Sequence, residues 1–158
     1  MEHISDTAIT DAESMPPKDI LECMLITPEA TVADSSAQFV ALPLYDGEIG
    51  ILPLHANMIG RLGYGEMRLR EGNRLDRYYI DGGFVQVINN RVYVLTNRAI
   101  PADKVSAQAA AEQLEAAKAR PATTAEQLAA REQAEAQARA QIRVAKRAHG
   151  GSSVSSGH

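Results

Sequence analysis

A break in composition near Ile100-Pro101 constrains this chain more than any single motif. Every phenylalanine and tyrosine lies between Phe39 and Tyr93, and no glycine occurs from Phe84 through His149. Glycine, proline, aromatic and β-branched residues make tightly turned sheet, whereas a run of Ala, Glu, Gln, Lys and Arg makes helices. The chain therefore calls for a sheet domain followed by helices.

In the first half the pattern has period two. Met67 and Leu69 alternate with Glu66, Arg68 and Arg70, and Val85 and Val87 flank Gln86, which predicts half-buried strands. Gly72-Asn73 suits a two-residue hairpin with glycine first, and Asn89-Asn90 suits one that needs positive φ twice. Short strands with such turns at regular spacing predict an antiparallel β-sandwich or barrel. Tyr78, Tyr79 and Ile80 alternate between faces ahead of an expected turn at Asp81-Gly82-Gly83, without revealing which tyrosine is core. After Pro101, Pro121 divides the tail into two helices joined closely enough to form an antiparallel helical hairpin. Asp103 is expected to cap the first, and Thr123 with Glu126 has the spacing of a capping box for the second. One face of the second helix carries Ala125, Ala129, Ala136, Ala140 and Val144, with Leu128 at its edge. A seam of alanines permits close approach but buries little, at about 0.8 kcal/mol per methyl, so the hairpin should dock weakly. The expected divisions are residues 1–18, a polar and mobile extension; 19–100, the β-sandwich; 101–149, the helical hairpin; and 150–158, a disordered tail.

Composition excludes several functions. A chain of 158 residues holds one domain and an appendage, not a second enzyme-sized domain. A formal charge of −4 argues against nucleic acid as a partner. The single cysteine, Cys23, cannot form an internal disulfide and reads as a small buried hydrophobe in a reducing interior. No window has the ~20 apolar residues of a membrane span, so membrane association is expected only through a partner.

No nucleophile, metal cluster or phosphate loop stands out, and neither catalytic residues nor cofactors are expected. Glu48 and His55 bracket the stretch Gly47-Glu48-Ile49-Gly50-Ile51-Leu52-Pro53-Leu54-His55, but an acid/base pair needs a cleft and a third group to orient the histidine, and neither is legible. Past Glu135 the chain has no acidic residue, while Arg139, Arg143 and Arg147 repeat at helical steps with Lys146 beside them. On a helix they form a cationic stripe. Cations near a helix C-terminus also have a plain reason, the favourable end of the macrodipole.

Gly47 through Asn57 and Gly82 through Leu95 resemble the two signatures of the epsilon subunit of bacterial F-type ATP synthases, roughly "GEIGILPGHAP" and "GGF-EV--N-V-VL--". Leu54 replaces the usual glycine and Asn57 the usual proline. The likeness covers residues 19–148. It implies a flattened ten-stranded β-sandwich with a C-terminal hairpin, in a non-catalytic rotor subunit of a proton- or sodium-driven enzyme. It implies the gamma subunit as a partner, and the c-ring, against which Glu48 and His55 would rest. It also implies the alpha/beta catalytic head, whose acidic segment would meet Arg139, Arg143, Lys146 and Arg147 when the hairpin extends to restrain ATP hydrolysis. The protein would sit peripherally on the cytoplasmic face of the bacterial inner membrane. Some members bind ATP through I/L-D-x-x-R-A; Val105-Ser106-Ala107-Gln108-Ala109-Ala110 stands there instead, without the acid or the arginine, so ATP binding is not carried over. Two alternatives remain open: a purely structural epsilon with a fixed hairpin, and a small β-sandwich ligand-binding module with an oligomerising helical tail.

Overall fold

A computed structural model describes the backbone of residues 17–156 and side chains as far as residue 150. The expected extension therefore lies, up to residue 16, outside the described residues. Eight strands come first: β1 (Leu21–Ile26), β2 (Thr31–Ala37), β3 (Phe39–Leu44), β4 (Gly47–Ile51), β5 (Met58–Glu71), β6 (Arg74–Ile88), β7 (Arg91–Leu95) and β8 (Ala99–Pro101). A 3-10 turn at Ala102–Lys104 leads into α1 (Ala107–Lys118) and α2 (Ala125–Ser156).

The sheet order is β2-β1-β7-β6-β5-β3-β4, with β8 also on β6. Every pairing is antiparallel except β1 against β7. Two layers form because β5 and β6 are long enough to run through both: the C-terminal end of β6 pairs with β7, its middle with β8. That sharing explains eight strands where ten were expected. The inward-facing parity flips along both long strands, from Leu62 to Met67 and Leu69 on β5, and from Ile80 to Val85 and Val87 on β6. The flip falls at Gly63 and at Gly82-Gly83, where β6 has φ of 69° and 103°. A Cβ on Gly83 would collide with the Leu95 carbonyl oxygen. Asp81-Gly82-Gly83 is thus a kink inside β6, not a turn; glycine signals positive φ, which does not by itself reverse a chain.

Both expected hairpins form. Gly72 has φ 60°, and Asn89 and Asn90 have φ 48° and 64°. Between the layers lies a core that includes Leu21, Cys23, Leu25, Val40, Leu42, Ile51, Met67, Ile80 and Val94. Tyr78 packs against this core, whereas Tyr79 belongs to a second cluster on the outer face of the sheet with Ala102, Val105, Ala140, Val144 and Ala145.

The helical tail departs from expectation in four places. Ser106, not Asp103, caps α1, accepting from the Ala109 amide at 3.1 Å, while Asp103 sits in the 3-10 turn. The capping box of α2 is shifted by one residue: Thr124 Oγ1 accepts from the Gln127 amide at 3.1 Å, and Gln127 Oε1 accepts from the Thr124 amide at 3.3 Å. Thr123-Glu126 and Thr124-Gln127 are equivalent signatures one residue apart, and sequence does not choose between them. Ala125, Leu128, Ala129 and Ala136 are exposed; the buried set is Ala138, Ala140, Gln141, Val144 and Ala145. Burial concentrates in the middle of α2 because there it meets α1 on one side and the sheet on the other, so one straight stripe cannot describe it. Finally, the segment from Gly150 to Ser156, expected to be a disordered tail, continues α2. Each added residue gains a backbone bond, no proline intervenes, and a glycine costs only about 1 kcal/mol.

Candidate functional site

Three surfaces concentrate what the sequence singled out. The first is the loop after β4. Glu48, on β4, ion-pairs with Arg68 at 3.2 Å. His55 is exposed, its Nδ1 lying 2.8 Å from the Ala56 carbonyl oxygen, and its amide closes a turn to Leu52 O at 3.1 Å. No contact joins Glu48 to His55, so the two do not make an acid/base pair. The loop instead presents Leu52 and Leu54, 59% and 72% exposed.

The second surface is the outer face of the layer containing β7. Register places Phe84 opposite both Arg61 and Leu95, and Ile59 opposite Gln86. Ile59, Phe84 and Leu95 are exposed, which makes an apolar strip of the kind that marks protein contacts. Arg61 lies over the Tyr45 ring at 4.2 Å beside it.

The third is the seam where α2 crosses β5 and β6. Its apolar part is the Tyr79 cluster, mostly alanine methyls and two valines. Two carboxylates that the sequence did not flag flank it. Asp81 accepts from Gln137 Nε2 at 2.9 Å and from the Tyr79 hydroxyl at 3.3 Å, with Arg98 at 3.8 Å. Glu66 has a side chain only 5% exposed, with Arg68 at 3.3 Å and Arg147 at 3.8 Å. Burial, then the Asp81 charge, pushes the Tyr79 hydroxyl up to about 12. Period two had placed Glu66 on a solvated face; the helix that covers it comes from a distant part of the chain, so no local signal could reveal this.

The seam also divides the cationic stripe. Arg147 turns to Glu66, while Arg139 and Arg143 line a groove of about 720 Å³ with Arg61, Tyr45 and Tyr64, and Lys146 is exposed. Arg139 also lies 3.8 Å from Glu135. At the start of α1, Ser106 is occupied as a cap and Ala110 is fully buried. Among the described residues no His/Cys/Asp/Glu cluster could hold a metal, and no helix is long and apolar enough to cross a membrane.

Known proteins share this construction. Residues 20–102 match the family described as ATP synthase, Delta/Epsilon chain, beta-sandwich domain. The ATP synthase epsilon chain of Rhodopirellula baltica is 44% identical over 126 residues, 80% of this chain and 98% of that one. The epsilon chain of Carboxydothermus hydrogenoformans is 36% identical over 65% of this chain and 76% of its own length. Among solved structures, a chain in the Euglena gracilis mitochondrial ATP synthase OSCP/F1/c-ring complex aligns with TM-score 0.67 at 24% identity, covering 87% of this chain and 84% of that one. A chain of the Tetrahymena thermophila mitochondrial ATP synthase central stalk and c-ring aligns with TM-score 0.65 at 16% identity, over 84% and 99%. At such identities the structural likeness establishes the fold.

Proposed function

This chain belongs to the ATP synthase delta/epsilon family, and from that membership we propose that it is a non-catalytic epsilon subunit in the central stalk of an F-type ATP synthase, joining gamma to the c-ring through its sandwich and restraining ATP hydrolysis through its hairpin. The loop carrying Glu48, Leu52, Leu54 and His55 would face the c-ring, and the strip of Ile59, Phe84 and Leu95 would face gamma. Any membrane association is peripheral, through the c-ring, on the cytoplasmic side. Arg139, Arg143 and Lys146 are the cations free to meet an acidic segment of the alpha/beta head when the hairpin leaves the sheet, with Arg147 joining them once it releases Glu66.

One observation supports a movable hairpin: the sandwich core draws on no residue beyond Val94, and the hairpin packs through a separate, alanine-rich cluster. An element that completes no one else's core can leave without unfolding its support. The test is truncation after Pro101 in reconstituted complexes. ATP hydrolysis should rise while proton pumping and assembly persist. Unchanged hydrolysis would identify a structural subunit whose hairpin inhibits nothing.

A further inference from the structure

Two polar atoms sit badly in the seam beneath α2. Glu66 Oε2 and Gln141 Nε2 are the buried side-chain atoms that find no hydrogen-bond partner among the described residues. Both lie around Tyr79: Glu66 is its cross-strand neighbour on β5, and Gln141 reaches its hydroxyl from α2. Glu66 is 7% exposed and Gln141 6%. A buried donor or acceptor without a partner loses its hydration and gains nothing in return. A permanent interface would do better with apolar side chains of the same size, which remove the desolvation term and keep the volume. Lifting α2 returns both groups to water, so the penalty applies to the docked state alone.

We propose that Glu66 and Gln141 are release positions, polar groups that hold the docked and free hairpin near balance. Arg147 is their counterpart. As the cation that α2 brings to Glu66, at 3.8 Å, it offsets part of the burial and ties docking to a residue of the stripe. Docking and any acidic partner of α2 therefore compete for Arg147. This proposal rests on the hairpin being the moving element of the reading above, but its test needs no complex.

The test uses the full chain with Ala140→Cys, which places a thiol at a position fully buried only while α2 is docked. Its labelling rate by a thiol reagent reports undocking, and Cys23, inside the sandwich core, reports unfolding in the same sample. Gln141→Leu and Glu66→Met should each slow labelling at position 140 by about tenfold without altering Cys23. Arg147→Ala should speed labelling in the native background and have no effect beside Glu66→Met, which isolates the pair as a double-mutant cycle does. Unchanged or faster labelling in both apolar variants, with Cys23 still protected, would overturn the proposal. Were those variants to misfold, absence of acceleration by Arg147→Ala alone would overturn it equally. A chain held shut that still inhibits hydrolysis would count against the inhibitory reading and leave this one standing.

Discussion

Leu54 has φ 68° with its side chain 72% exposed, an arrangement that local energetics oppose. Left-handed backbone costs a residue with a Cβ about 1–2 kcal/mol, and so exposed a leucine recovers little of it within the chain. Asparagines hold the loop in place. Asn90 Oδ1 accepts from the Leu54 amide at 2.6 Å, and Asn57 Oδ1 accepts from the Asn89 amide at 2.9 Å. The two departures from the family's pattern, Leu54 and Asn57, are thus both tied to the Asn89-Asn90 turn. Leu54→Gly should raise stability by roughly 0.5–1 kcal/mol, the relieved strain exceeding the added chain entropy, and Asn90→Ala should lower it by about 1–2 kcal/mol; urea denaturation reads both. Cys23 carries a pH prediction. Burial, then the Asp34 charge, pushes its thiol up to about 12 from an ordinary 9.0. The folded pKa is the higher one, so above pH 9 the unfolded chain sheds this proton first. The contribution is complete below pH 9 and is lost as pH climbs toward 12, at about 1.4 kcal/mol per unit. Cys23→Ala should flatten that alkaline decline relative to the native chain, and parallel slopes would refute the assignment.

At the scale of elements, the sandwich and the hairpin differ in what holds them. Residues 19–101 contain the whole interlayer core and β8, so that fragment should unfold cooperatively in a thermal melt, losing only the cover over Tyr79. A broad, non-cooperative transition would mean that α2 supplies necessary core. The strands were legible because each side chain's fate on a two-layer sheet follows from its parity: Met67, Leu69, Val85 and Val87 are all buried as their alternation requires. The Gly72-Asn73 and Asn89-Asn90 turns were legible because few residues accept positive φ. Parity failed at Glu66, whose burial is imposed by Arg147's helix more than seventy residues on. It failed also for the alanines of α2, since alanine suits exposed helix and close packing alike, and composition does not say which. The seam, where Glu66, Tyr79, Asp81, Gln137 and Gln141 meet, was therefore the least readable part of the chain, although each polar member is an unremarkable residue in its own segment.

For the whole molecule, the consequence is that the four cations expected to act together do not share one environment. In the docked form Arg147 is engaged by Glu66, while Arg139 and Arg143 line an open groove that contains no carboxylate and Lys146 faces solvent. Replacing all three arginines would therefore mix two effects, a looser seam and a weaker grip on an acidic partner. Arg139→Ala with Arg143→Ala separates them: helix propensity is kept, the Glu66 contact is untouched, and only cations free to act outside the molecule are lost. In reconstituted complexes this double variant should release ATP hydrolysis while leaving assembly and ATP synthesis nearly intact. Opposed charges at an interface are screened by salt, so inhibition by the native protein should also weaken as ionic strength rises, and the variant should show a shallower dependence. Arg147→Ala alone should behave differently, freeing the hairpin from the sheet as well as weakening its contact with the head, so that its net effect on hydrolysis is smaller than that of the double variant. Equal inhibition by the native and double-variant chains at low salt would remove charge from the inhibitory mechanism and leave Arg139 and Arg143 as the solvated side of α2.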